Sequence, residues 1–222
     1  MTGFDPALLQ QLPLFMAAVL VLNATPGVDL LLTVSRTAQS GVRAGVMAAL
    51  GINAGCALHA LGAAFGLAAL LAWSTTAFSA LKWAGAAYLL WLAFGMLRNA
   101  WRGTGQEDIQ APAARRRMPT VSAVADFRRG LLTNLLNPKV ALFMLAFLPQ
   151  FIPLQSAHKT LAFLGLGLLF IVQSTLFLLA VVLITARLSR VNALARSARA
   201  LQAAGGLLFI ALAARLASAR ID

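Results

Sequence analysis

The residues that could do chemistry in this chain interrupt its most apolar stretches. The first cluster lies in NATPGVDLLL, residues 23–32, and it contains Asn23, Thr25, Pro26, Gly27 and Asp29. Proline removes a backbone hydrogen-bond donor, glycine loosens a helix, and an ionised aspartate in hydrocarbon costs about 2.5–3.5 kcal/mol even on insertion scales. A segment that keeps all three inside an apolar run is therefore a candidate site for a substrate or an ion.

A second cluster, NLLNPK at residues 134–139, contains Asn134, Asn137, Pro138 and Lys139. A proline within a span frees the carbonyl about one turn before it, and in hydrocarbon that carbonyl must face protein, water or a ligand. The carboxylate of Asp29 and the ammonium of Lys139 could meet the amine and the carboxylate of a zwitterion at separate ends of one cavity. The structural alternative is that these two charges pair with each other and lock the protein, while the asparagines and prolines serve packing and kinking.

Three further polar residues lie within the apolar runs as candidates for lining a site or relaying a proton: Asn53, His59 and Gln173. His59 suits a relay because histidine changes protonation near neutral pH, although a lone histidine in a glycine-rich helix also serves as hydrogen-bonding glue. No catalytic residue, metal site or cofactor is predicted, because the sequence has no HExxH, no clustered Cys and His, and no Ser or Cys with a nearby base. A membrane-embedded enzyme is therefore a weak alternative.

Composition identifies the environment in which these residues work. Of the 222 residues, 60% are hydrophobic and only 11% are charged, and the mean hydropathy is +0.83. Soluble domains contain about 45–50% apolar residues, so we predict an all-α integral membrane protein that contacts the lipid bilayer. The net charge of +12 does not indicate nucleic-acid binding, because the arginines fall between apolar runs and form no surface stripe.

Six apolar runs are long enough to cross the hydrocarbon core, which takes about 20 residues per helix. They cover residues 8–34, 44–71, 78–97, 130–152, 161–186 and 201–217. The first run is too long for one straight helix, which is consistent with a break near Pro26. We predict a single transmembrane domain, residues 1–222, in which a cytoplasmic linker at 102–126 joins two three-helix halves, 1–101 and 127–222.

The basic residues predict the orientation of these spans. If the N-terminus is outside, the inside segments hold thirteen arginines, whereas the outside segments hold four lysines and arginines. Basic residues are enriched in cytoplasmic loops. The bias therefore predicts that both termini lie outside the cytoplasm.

Traces of an internal repeat relate the two halves. A shift of about 112 residues lays Pro26 over Pro138 and brings Asn23 to Asn134, and a shift of 114 lays His59 over Gln173. Because three spans per half is an odd number, the second half must enter the membrane from the opposite side. Inverted repeats of this kind are typical of secondary transporters, whose sites form at paired, interrupted helices near the midplane.

Glycines at GxxxG spacing bear on how the helices pack. Two such pairs lie in the second apolar run, Gly51 with Gly55 and Gly62 with Gly66. The spacing favours close approach of helices, either within the chain or in a homodimer. The sequence leaves these two alternatives open.

Several stretches of the chain also resemble a known family. PGVDLLLTVSR, GVRAGVMAALGINAG, LKWAGAAYLLWLAFGML and FRRGLLTNLLNPKVALFMLAFLPQF are similar to segments of the LysE/RhtB-type amino-acid exporters, and the resemblance runs over nearly the whole chain. Pro26-Gly27 with Asp29 resembles the family's Pro-Gly-Pro-Asp signature, with Val28 in place of the second proline, which indicates a softer bend. The resemblance implies a six-span exporter of amino acids or related metabolites in the bacterial inner membrane, driven by the proton gradient or the membrane potential.

Together these observations predict a secondary transporter that works by alternating access around a cavity lined by the two proline breaks. Asp29 would bind the substrate amine or carry the coupled proton. Lys139 would hold the substrate carboxylate, or release Asp29 when the site is empty. A passive channel or a membrane scaffold is the main alternative function.

Overall fold

The computed structural model describes residues 6–73, 75–102, 122–152, 158–187, 203–214 and 218, and the regular structure within them is helical. Seven α-helices follow one another as α1 (Pro6–Ala24), α2 (Val28–Ser40), α3 (Val42–Trp73), α4 (Thr75–Arg102), α5 (Ala123–Leu135), α6 (Pro138–Phe147) and α7 (Lys159–Arg187). A short apolar helix, α8 (Ala203–Ala214), follows them, and a 3-10 turn at Leu148–Phe151 extends α6. The all-α prediction is confirmed for these residues.

Two of the described helices are long and apolar enough to cross a membrane alone, α3 over Val42–Gly66 and α7 over its whole length. Two bent pairs meet the same requirements when each counts as one span: α1 with α2, bent by 57°, and α5 with α6, bent by 52°. The described residues thus provide two spans, or up to four. The predicted third and sixth runs form α4 and α8, and the inverted six-span arrangement stays a prediction.

The predicted break near Pro26 is confirmed, since α1 ends at Ala24 and α2 begins at Val28. The fourth predicted run differs from the structure because its helix begins at Ala123, well before residue 130. Ser122 caps that helix by accepting a hydrogen bond from the backbone N–H of Ala125 at 3.2 Å. Hydropathy missed the first two turns of α5 because they contain three charged residues, Asp126, Arg128 and Arg129, and its buried face is polar or small.

The buried face of α5 consists of Asp126, Gly130 and Asn134, one residue per turn. This face packs directly on α3, backbone against backbone. A Cβ on Gly130 would overlap the carbonyl of Ala48, and one on Gly51 would overlap the carbonyl of Phe127. Glycine at these positions therefore lets α3 approach α5 closely. This contact fixes where Asn134 lies along the axis of α3.

The two GxxxG pairs of α3 have different surroundings. A Cβ on Gly55 would lie 2.6 Å from Asn134 Oδ1, whereas Gly62 and Gly66 have nothing within 4 Å of the equivalent position. The first pair therefore serves packing within the chain. The homodimer alternative stays a prediction for the second pair.

An aromatic cluster joins the two bent pairs. The ring of Phe15 in α1 stacks on Phe147 of α6 with centroids 5.8 Å apart and meets Phe151 edge-on at 5.3 Å. Phe143 lies 4.5 Å from Phe147 on the same helix. All four rings are buried, so α1 is held against α6 and the two breaks lie close to each other.

Candidate functional site

Asp29 lies in the first turn of α2, where the helix dipole favours a carboxylate. Its Oδ2 accepts hydrogen bonds from Asn134 Nδ2 at 2.8 Å and from Asn137 Nδ2 at 3.0 Å. Its other oxygen, Oδ1, is buried and has no hydrogen-bond partner. Three residues singled out in the sequence thus meet across the two halves, and one carboxylate oxygen stays available.

Lys139 lies in the first turn of α6 and reaches back to the end of α1. Its Nζ donates to the carbonyl oxygen of Leu22 at 3.1 Å and to that of Thr25 at 3.2 Å. Among the residues that the structure describes, the one ion pair within 4.0 Å joins Arg36 to Asp126 and not Asp29 to Lys139. The alternative in which Asp29 and Lys139 lock each other is therefore not what this structure contains.

The second break is organised by an Asn-Pro pair. Asn137 caps α6, with its Oδ1 accepting the backbone N–H of Lys139 at 3.0 Å. Pro138 lies in the first turn of α6, where its missing N–H would be unpaired in any case. His59 of α3 approaches the same break, with Nε2 3.2 Å from the carbonyl oxygen of Asn134.

The first break is organised by Thr25, Pro26 and Gly27. Thr25 Oγ1 donates to the carbonyl of Val21 at 2.6 Å, so this side chain turns back onto α1. Gly27 precedes α2 in an extended conformation and makes no side-chain cap. The chain is therefore extended between the two helices, and the carbonyls at the end of α1 face the second half.

A small, partly open pocket lies between the two breaks. Six of the predicted site residues line it: Asn23, Thr25, Gly27, Asp29, Asn137 and Lys139. Apolar walls come from Ile52, Val140 and Leu178. Pro26 and Pro138 shape the breaks, and Asn134 contacts the pocket through Asp29.

Three buried polar atoms at this site have no hydrogen-bond partner: Asp29 Oδ1, Asn134 Oδ1 and Asn23 Nδ2. Leaving such an atom unpaired costs about 1–3 kcal/mol, so the two that belong to residues lining the pocket, Asp29 Oδ1 and Asn23 Nδ2, are places where a ligand would gain affinity. The carboxylate oxygen is an acceptor and suits an ammonium group. The amide nitrogen is a donor and suits a carbonyl or carboxylate oxygen.

Asn53 and Gln173 occupy other positions. Asn53 Nδ2 donates to the Ala49 carbonyl within α3 at 2.9 Å, and Gln173 Nε2 donates to the Met16 carbonyl at 2.8 Å, which ties α7 to α1. Neither residue is part of the pocket wall, and neither is His59. His59 still contacts a site residue, because its partner carbonyl belongs to Asn134.

Sequence reasoning missed a buried ion pair between Arg36 of α2 and Asp126 of α5. Arg36 Nε lies 2.7 Å from Asp126 Oδ1, and their side chains are only 4% and 1% exposed. The sequence had placed Arg36 among the basic residues of the inside segments and Asp126 in the linker. Helical spacing carried the signal, since Arg36 follows Asp29 by seven residues and Asp126 precedes Asn134 by eight.

Three other contributors had no clear sequence signal. Cys56 and Ser174 line the pocket, although each is a small residue within an apolar run. The Tyr88 hydroxyl donates to the carbonyl of Lys139 at 3.1 Å. It thereby fixes the backbone from which the lysine side chain departs.

Comparison with known proteins places these features in one transport family. Residues 20–220 match the family model described as LysE type translocator. The chain is 34% identical to an uncharacterised membrane protein of Pseudomonas aeruginosa, over 94% of this chain and 95% of that protein. It is 33% identical to the homoserine/homoserine lactone efflux protein of Salmonella typhimurium, over 90% of this chain and 92% of that protein. No solved structure matches the chain.

Proposed function

The chain belongs to the LysE type translocator family, and on that premise we propose that it is a secondary transporter exporting amino acids or related small zwitterionic metabolites. Translocators and efflux proteins are transporters and not enzymes. The membrane-protein relatives and the apolar helices indicate a multi-pass membrane protein. We further propose the bacterial inner membrane, with both termini outside the cytoplasm. The excess of thirteen basic residues over four supports that orientation.

The observation that carries the proposal is the buried carboxylate of Asp29, held on one side and free on the other. Asn134 and Asn137 hold Oδ2, while Oδ1 lies in the pocket region without a partner. In the proposal Asp29 binds the substrate amine or, in the empty site, carries the coupled proton. The amide of Asn23 meets the carbonyl or carboxylate end of the substrate.

The positions of these contacts support a mechanism of alternating access. Both hydrogen bonds to Asp29 come from the second half, so moving one half against the other removes them together. A substrate amine that binds Asp29 replaces part of the lost hydrogen bonding. The charged carboxylate therefore keeps a partner throughout. We propose that the two inverted halves move in this way, driven by the proton gradient or the membrane potential.

Homoserine is the first substrate to test. The relative from Salmonella typhimurium is named as an efflux protein for homoserine and homoserine lactone. Homoserine carries an amine for Asp29 and a carboxylate for the opposite end of the pocket. A proteoliposome assay with labelled homoserine, with and without an imposed proton gradient, would measure transport directly.

Replacing Asp29 with Asn tests the proposal, because the change keeps the shape of the side chain and removes its charge. We expect homoserine transport to fall by about 10–100-fold, since a hydrogen bond to a charged group contributes about 1.5–3 kcal/mol. Asp108→Asn, the same chemical change in the predicted linker, is the matched control and should transport normally. Full transport by correctly inserted Asp29→Asn protein would remove Asp29 from the mechanism.

The same vesicles separate a carrier from a passive channel. A carrier accumulates homoserine against its concentration gradient when the proton gradient or membrane potential is imposed, and it stops when an uncoupler is added. A channel moves homoserine only down its gradient under either condition. Purely downhill movement would therefore favour the channel.

A further inference from the structure

Each proline break removes the usual helical donor to one backbone carbonyl. In an α-helix each N–H donates to the carbonyl four residues earlier, and proline has no N–H. Pro26 therefore cannot donate to the carbonyl of Leu22, and Pro138 cannot donate to that of Asn134. In a membrane such oxygens need other donors. The Asn134 carbonyl has one in the backbone N–H of Asn137 at 2.9 Å.

Side-chain donors reach both carbonyls from the opposite half of the chain. Lys139 Nζ, from the second half, lies 3.1 Å from Leu22 O. His59 Nε2, from the first half, lies 3.2 Å from Asn134 O. Because a carbonyl oxygen only accepts, His59 must carry a proton on Nε2 to make this bond. Each half therefore contributes a side-chain donor to the break in the other, but Asn134 O also has the backbone N–H of Asn137, whereas Leu22 O depends on Lys139.

We propose that Lys139 is a positioning residue that caps the broken end of α1, and that it is not the receptor for the substrate carboxylate. Its ammonium uses two of its three donors on the carbonyls of Leu22 and Thr25. It makes no ion pair with Asp29 within 4.0 Å. The role assigned to it from sequence alone therefore changes from binding substrate to holding the shape of the pocket.

Helix electrostatics support this assignment. Lys139 belongs to the first turn of α6, where the positive end of the helix dipole repels a cation, and it points to the last carbonyls of α1, where the negative end attracts one. The Lys139 side chain passes beside Gly27, where a Cβ would lie 3.6 Å from Nζ in ordinary contact, so this path does not depend on glycine. Tyr88 fixes the starting point by donating to the carbonyl of Lys139 at 3.1 Å.

A suppressor experiment tests the cap without any transport assay. Lys139→Met removes the side-chain donor of the Leu22 and Thr25 carbonyls, and we expect the apparent Tm of the purified protein to fall by roughly 4–8 °C. Pro26→Ala restores an N–H four residues after Leu22. The Lys139→Met substitution should therefore lower the Tm in the Pro26→Ala background by no more than about half as much as it does in the wild type.

The matched control uses Pro13, a proline inside α1. Pro13 is exposed and lies nine residues before Leu22. Pro13→Ala combined with Lys139→Met should therefore show simple additivity. Additivity in the Pro26 pair as well, or an unchanged Tm in Lys139→Met, would overturn the proposal. Should Lys139→Met yield no folded protein, recovery of monodisperse protein by Pro26→Ala supports it, and no recovery overturns it.

A transport readout distinguishes a cap from a carboxylate receptor, and this part rests on the proposed function. Homoserine and its carboxamide, which lacks the carboxylate charge, compete for transport in wild-type and Pro26→Ala/Lys139→Met vesicles. A cap leaves the ratio of the two apparent affinities within about twofold of wild type, whereas loss of a carboxylate receptor shifts it by about 10-fold or more towards the amide. If wild-type vesicles transport neither compound, the proposed function fails, and the Tm experiment still decides the cap.

Discussion

The two proline breaks resemble each other in sequence and differ in how they are closed. The second break is closed largely by its own half, because Asn137 caps α6 and its backbone N–H donates to Asn134 O at 2.9 Å. The first has no side-chain cap on α2, and the carbonyls at the end of α1 bond to Lys139 of the other half. The shape of the first break therefore depends on how the halves are placed, whereas the second carries most of its geometry within itself.

This difference assigns different tasks to the two regions in the proposed transport cycle. A relative movement of the halves reshapes the break at Pro26, which carries Asp29 immediately after it. The break at Pro138 moves as a unit and carries the two asparagines that hold Asp29. Substitutions at three positions test this difference between the two breaks. We expect the largest effect at the ion pair between Arg36 and Asp126, which joins the two halves.

Arg36→Met removes one partner of the buried ion pair that joins α2 to α5. We expect a loss of about 3–5 kcal/mol in stability, because Asp126 is left charged and buried. Arg36→Met/Asp126→Leu should recover most of this loss, since it leaves no unpaired charge. Thermal unfolding in detergent measures both, with exposed Arg43→Met as control. A single variant no less stable than Arg43→Met would show that α2 does not depend on the second half at this point.

Asn137 combines two roles that a pair of substitutions separates. Asn137→Ala loses the cap of α6 and should cost about 1 kcal/mol of stability. Asn137→Ser keeps a capping oxygen and loses the amide that donates to Asp29. We expect Ser to preserve the Tm while both variants raise the apparent KM for homoserine. Equal Tm losses in the two variants would contradict a self-capped second break.

His59→Leu should give the smallest effect of the three. It removes one hydrogen bond, and the loss should stay below about 1 kcal/mol because the Asn134 carbonyl keeps the backbone N–H of Asn137. His59→Gln, which retains a side-chain donor, should restore part of the difference, and exposed His158→Leu serves as control. A Tm loss as large as that of Lys139→Met would show that the two breaks are equally dependent on their partners.

The sequence was sufficient to predict the helical class and the break near Pro26. These follow from local rules, because apolar length predicts helices in a bilayer and a proline ends the hydrogen bonding before it. The approach of Asn134 and Asn137 to Asp29 also agrees with the expectation that the two clusters share one cavity.

Other features could not be predicted because their signals lie in three dimensions. The buried face of α5 is made of Asp126, Gly130 and Asn134, and a hydropathy profile scores such a face as solvent-exposed. Arg36 counted as an inside-facing arginine until its partner became visible. Lys139 donates its hydrogen bonds to two backbone carbonyls. Because every residue has a backbone carbonyl, the sequence contains no signal for this contact.

Cys56 gives the pocket a practical property. It is the only cysteine of the chain, it is buried, and it lies in the same wall as Asp29. Because no other thiol competes, alkylation of the native protein would report any state in which the pocket opens far enough to expose this buried side chain. Charged and membrane-permeant maleimides applied from each face would show from which side the thiol becomes reachable, and bound substrate should slow its modification.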